Sequence, residues 1–105
     1  MKLNLIISIL ISPFFVFSQS KQNQEIDSLL GVWKNNSLHD TLRADAFQSF
    51  IYKKYFRTDL DSAKLLSKEH LRFTKDSKDG KRILNSYLLN AMVSSQTGDY
   101  KSAID

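Results

Sequence analysis

The stretch Thr58-Asp59-Leu60-Asp61-Ser62-Ala63 returns as Gly98-Asp99-Tyr100-Lys101-Ser102-Ala103, with Asp, Ser and Ala identical and an apolar residue after the first Asp of each. The two copies stand 40 residues apart, and an aromatic residue precedes each alanine by 16 positions, Phe47 before Ala63 and Tyr87 before Ala103. A period of this length describes stacked helical hairpins, in which no unit can bury its apolar face without a neighbour.

The residues around and between the copies carry apolar side chains at helical spacing. Ile26, Leu29, Leu30 and Trp33 fall at i, i+3, i+4 and i+7, which predicts a first helix despite Gly31 in its interior, ended by Asn35-Asn36-Ser37. Asp40 is the expected N-cap of a second helix, in which Ala44, Phe47, Phe50, Ile51 and Tyr55 recur up to about Arg57. Asp59 caps a third, with Ala63, Leu66, His70 and Phe73 on one side. Thr74 to Lys81 reads as a polar linker with a glycine. A fourth helix runs to Thr97, with Leu84, Leu88, Ala91 and Ser95 on one stripe and Ile83 and Tyr87 beside it. Gly98 suits the position just past that helix, and Asp99 the N-cap of the next. The chain is therefore expected to be the N-terminal piece of something longer, its last helix just begun. Strict alternation is absent and Pro13 is the sole proline, so the expected class is all-α, antiparallel hairpins stacked as a solenoid and truncated at the C-terminus.

In these residues the chain resembles the tetratricopeptide repeat family, whose pattern places a Trp, Leu, Gly and Tyr on the first helix of a unit and a small Ala on the second. The second unit, from about residue 79 and incomplete, has Tyr87 for the Trp, Ala91 for the small Gly, and Gly98, Asp99 and Ala103 in the turn and second helix. Asn90 and Ser94 depart from the Leu and Tyr. In the first unit, near residues 41–75, Phe47, Phe50 and Ala63 agree, whereas Ile51, Lys54, Ser67 and His70 do not, which makes that unit degenerate. The 40-residue period exceeds the family's usual 34, so about six residues must go into longer helices or the linker; HEAT-type repeats of about 40 to 47 residues are the competing description.

The first 18 residues, MKLNLIISILISPFFVFS, have the layout of a secretory signal, with Lys2 ahead of an apolar stretch and small side chains before a cleavage point between Ser18 and Gln19. Residues 19–24 then form a polar linker, and 25–105 the repeat region. With no cysteine, the exported chain has neither disulfides nor thiolate chemistry, nor the cysteine a lipoprotein anchor needs. Loss of Lys2 leaves 14 of the 15 basic residues against 11 acidic ones, mixed along the chain, which argues against nucleic acid as a partner.

Candidate chemical sites have structural explanations. Asp59 and Asp61 suit a helix start, and His39 and His70 lie apart with no cysteine, too few ligands for zinc. The aromatic and basic stretch Phe47 to Arg57 separates on a helix into a core side and a solvated side. No phosphate loop, nucleophile elbow or paired-histidine motif is present, so no catalytic, cofactor or metal residue is expected in this chain. The expected role is an exported scaffold that binds a protein or peptide in a groove containing Lys54, Asn85, Asn90 and Ser94. A signal, a short leading helix and then such repeats are similar to the amino-terminal region of bacterial envelope signalling proteins, which implies further repeats or a membrane span and an output domain (histidine kinase, cyclase or transcriptional regulator) beyond Asp105. The alternatives are a free-standing periplasmic assembly or structural factor and the leading fragment of an enzyme. If the signal is processed, the intact mass of protein recovered from the cell envelope will correspond to a chain starting at Gln19; a cytoplasmic chain retaining Met1 contradicts it.

Overall fold

A computed structural model describes residues 21–98, which form four α-helices: α1 (21–34), α2 (Asp40–Tyr55), α3 (Leu60–Ser77) and α4 (Gly80–Thr97). The signal segment, its cleavage point, Asp99 and Ala103 lie outside the described residues. The short turns make each helix antiparallel to the one before it, and α3 packs on both α2 and α4.

Side chains at the turns set the helix ends. Asn35 accepts the backbone N–H of Ser37 at 3.1 Å, closing the turn after α1. The cap of α2 is His39 rather than Asp40: its Nδ1 accepts the Thr41 N–H at 3.2 Å, and Asp40 becomes the first helical residue, its carboxylate 3.7 Å from Arg43. Asp59 caps α3 as expected, accepting the Ser62 N–H at 3.1 Å and its hydroxyl at 2.7 Å. These bonds hold the exposed Asp59 carboxyl below its ordinary pKa.

Two expected linkers are largely helix. Residues 21–24 already belong to α1, since Lys and Gln are good helix formers and need no apolar stripe to be helical. The expected linker at Thr74 to Lys81 shrinks to Lys78 and Asp79. Lys78 takes the left-handed conformation that ends α3 (φ 57°), Asp79 caps α4 by accepting the Arg82 N–H at 3.3 Å, and Gly80 is helical. Gly98 ends α4 with φ 79°, where a side chain would be strained.

The core joins Phe47, Phe50 and Ile51 of α2 to Ala63 of α3 and to Leu89 and Val93 of α4, with Ile26, Leu29, Leu30 and Trp33 of α1 packed against it. Full burial of a Phe, Ile or Leu contributes about 1.5–3 kcal/mol each. Trp33 stacks on Phe47 with centroids 4.0 Å apart and meets Phe73 edge-on at 4.8 Å. Arg43 lies over two of these rings, 5.1 Å from Trp33 and 5.0 Å from Phe73, and donates to the Trp33 carbonyl at 2.9 Å, fastening α1 to the hairpin.

On α4 the expected stripe faces outward. Leu84, Tyr87, Leu88 and Ser95 are exposed and Ala91 is half-buried, while Ser86, Leu89, Val93 and Ser94 face the core. The reason is chemical: α3 presents Ser67, His70 and Thr74, all fully buried, and α4 answers with polar side chains.

Ala63 has no exposed surface. Ala63→Arg combines overpacking of about 1–3 kcal/mol with an unpaired buried charge, and is expected to unfold the domain or lower its chemical-denaturation midpoint sharply. Lys68→Ala, at an exposed position of the same helix, should stay within about 0.5 kcal/mol. Equal tolerance of the two would place the α2–α3 contact elsewhere.

Candidate functional site

The buried polar residues form one directional chain. Thr74 Oγ1 lies 3.2 Å from Ser86 Oγ and 3.0 Å from the Leu71 carbonyl, the Ser86 hydroxyl donates to His70 Nδ1, and His70 Nε2–H donates to the Ala44 carbonyl at 2.9 Å. This arrangement requires a neutral imidazole protonated on Nε2. Burial holds the His70 pKa below its ordinary 6.5, outweighing the Ala44 carbonyl and the Asp45 charge, which act in the opposite direction. A serine donating to a histidine also occurs in nucleophilic catalysis, but His70 and Ser86 both have zero exposure. The chain is a structural tie. Beside it Asn90 Nδ2 donates to the Ser67 carbonyl at 2.9 Å and to the Ser86 carbonyl at 2.8 Å.

Of the expected groove residues, Asn90 is committed to these bonds and Ser94 is buried. Lys54 lies on another part of the surface, its ammonium 5.6 Å from the Phe50 ring and 5.5 Å from Tyr55. Only Asn85, half-buried, shares a face of α4 with Leu88 and Met92, at i, i+3 and i+7. The four do not form one site. Among the expected repeat residues, Phe47 and Ala63 are in the core, Asp59 and Gly98 bound helices, Ala91 is half-buried, and Tyr87 is exposed beneath the Lys75 ammonium at 5.3 Å.

One concave feature is a cleft of about 180 Å³ between α2 and α4. Leu89, 2% exposed, forms its floor; Tyr52 and Met92, 42% and 39% exposed, form its apolar walls, and Gln48, Ser49 and Lys53 its polar edge. The helices beside it are fixed by Arg82, which donates to both Asp45 oxygens at 3.1 and 2.9 Å, and by the Thr41 hydroxyl, which donates to Asp79 at 3.2 Å. Sequence reasoning missed Gln48, Ser49, Tyr52, Leu89 and Met92. The signal was present: Tyr52 and Met92, like Gln48 and Leu88 and like Ser49 and Leu89, are 40 residues apart.

Among the described residues no group of three or more His, Cys, Asp or Glu side chains is placed to hold a metal ion, and no helix is long and apolar enough to cross a membrane. Comparison with protein-family models, curated proteins and solved structures gives no match.

Because His70 is held neutral, the unfolded chain binds a proton more readily than the folded one. Its contribution to stability is complete above about pH 6.5 and declines as the pH falls from there toward the folded value. The denaturation midpoint should therefore drop between pH 7.5 and 5.5, and His70→Leu should flatten that dependence whatever its effect at neutral pH. An identical slope in both proteins contradicts the neutral tie.

Proposed function

We propose that the chain is an exported tetratricopeptide-type scaffold that binds a protein or peptide and serves as the sensing or interaction part of a larger envelope signalling protein. The observation that carries this reading is the cleft between α2 and α4, where residues one 40-residue period apart, Ser49 with Leu89 and Tyr52 with Met92, line the same concavity. Two helices that present equivalent positions to a shared groove are what stacking of repeats produces.

The helix lengths support the same reading. Helices of 16 and 18 residues, with turns at 56–59 and 78–79, fill the period, so the excess over the usual repeat resides in longer helices rather than in a linker. In the first unit Ile51, Ser67 and His70, which depart from the family pattern, are all fully buried and so keep the packing role while changing its chemistry. Binding by such a groove involves positioning without catalysis.

A photo-crosslinking amino acid at Tyr52 in cells should give a discrete protein adduct in the envelope fraction, and the same probe at Lys68, exposed on α3, should give none. No adduct at Tyr52, or the same adduct at both positions, counts against a binding groove between α2 and α4.

A further inference from the structure

Three clefts meet at Lys53. The first is the α2–α4 cleft just described; the second, of about 290 Å³, lies between α1 and α2 and is also walled by Tyr52, with Glu25 and Arg57; the third, of about 630 Å³, continues along the same helices past Asp27 and Lys54. They form one path that starts at Leu89 and Met92, crosses α2 at Tyr52 and Lys53, and ends beside α1. Its two ends differ in chemistry.

The α4 end is apolar. The α1 end gathers Lys53, Lys54 and Arg57 against Glu25 and Asp27, an excess of one positive charge. Glu25 is bonded to Lys53, Lys54 rests over aromatic rings rather than on a carboxylate, and Arg57 has no hydrogen bond or ion pair among the described residues. An unpaired guanidinium at the edge of a cleft offers a fork to a carboxylate.

Resting on the scaffold reading above, we infer that the partner is an acidic peptide segment laid across α2, with one apolar side chain seated between Tyr52 and Met92 over Leu89 and its carboxylates at Arg57 and Lys54. Tyr52 and Arg57 are five residues apart on α2. That is about 7.5 Å along the helix axis and about 140° around it, so the partner must pass around α2 between the two. A peptide fits this surface better than an anionic bilayer, because the apolar part is a pit whose floor, Leu89, is 2% exposed, whereas a bilayer takes a protruding apolar face.

The test is selection of displayed random dodecapeptides against the full exported chain, followed by fluorescence anisotropy with a synthetic form of the enriched sequence. Enriched peptides should carry an aromatic or long aliphatic residue within about five positions of Asp or Glu. Their affinity should fall about tenfold or more in Arg57→Glu and in Met92→Asp, less in Arg57→Gln, and with rising salt, but not in Lys68→Glu, which makes the same charge change elsewhere. Circular dichroism of each variant identifies any that fails to fold; Arg57→Gln, uncharged at an exposed position, keeps the electrostatic arm decisive. Enriched peptides that lack acids and bind Arg57→Glu normally overturn this inference and leave the scaffold reading standing. No enrichment overturns both. Binding to phosphatidylglycerol vesicles without peptide enrichment assigns the surface to a membrane and overturns the inference as well.

Discussion

His70 donates from Nε2 to the Ala44 carbonyl on α2 and accepts at Nδ1 from Ser86 on α4, so one α3 side chain fixes both neighbouring helices. A buried imidazole is tolerated only when its hydrogen-bonding capacity is met, and here each nitrogen has a partner on a different helix. Sliding either helix by one residue would break a bond that water cannot replace, at a cost of about 1–3 kcal/mol for the stranded group. The apolar core that includes Ile51 and Leu89 supplies most of the burial energy but tolerates small displacements; the polar chain supplies register. Ser67 shows the contrast, since its buried Oγ has no partner among the described residues although its carbonyl accepts from Asn90.

The same polar contact decides which way α4 faces. Once Ser86 and Asn90 are turned toward α3, Leu84 and Leu88, roughly half a turn away, must face out, and they are 58% and 61% exposed. Hydrophobic periodicity ranks Leu84 and Leu88 as core and Ser86 as surface, because it counts a hydroxyl as solvated wherever it lies. That inference fails when the facing helix carries complementary hydroxyl, imidazole and amide groups. Nothing in α4 alone reveals them; the information is in α3, 12 to 23 residues earlier in the chain.

Features set within a few residues were legible. Asp59 three positions before Ser62, and Gly98 after an unbroken helical stretch, specify a helix start and a helix end whatever surrounds them. His39 was not, because an imidazole is an uncommon N-cap and Asp40 beside it has the commoner chemistry. Lys78 was hidden for the opposite reason: Gly80 offers the usual signal for a left-handed residue, yet Asp79 caps α4 and the reversal occurs two residues before the glycine, at Lys78. The cleft was half legible. The recurrence of Asp59-to-Ala63 at Asp99-to-Ala103 carries Tyr52 onto Met92, but spacing alone does not say whether such a pair lies on the buried or the open side of its helices.

The groove and the buried chain are mechanically one device. Tyr52 and Met92 belong to helices whose separation is fixed from within by His70 and from without by the Asp45–Arg82 fork, the first insensitive to salt and the second partly exposed to it. A cleft of about 180 Å³ depends on small displacements of its walls, so its shape depends on register more than on total stability. Polar residues that stabilise less than their apolar counterparts would are therefore useful here: they hold α4 at one angle to α2 and keep the floor at Leu89 open between two walls. Substituting Ser86 and His70 together with apolar residues of similar volume could preserve folding while removing the bonds that determine where Met92 stands relative to Tyr52. Most of the burial energy and the shape of this cleft thus rest on different contacts, the apolar core for the first and the α3 hydrogen bonds for the second.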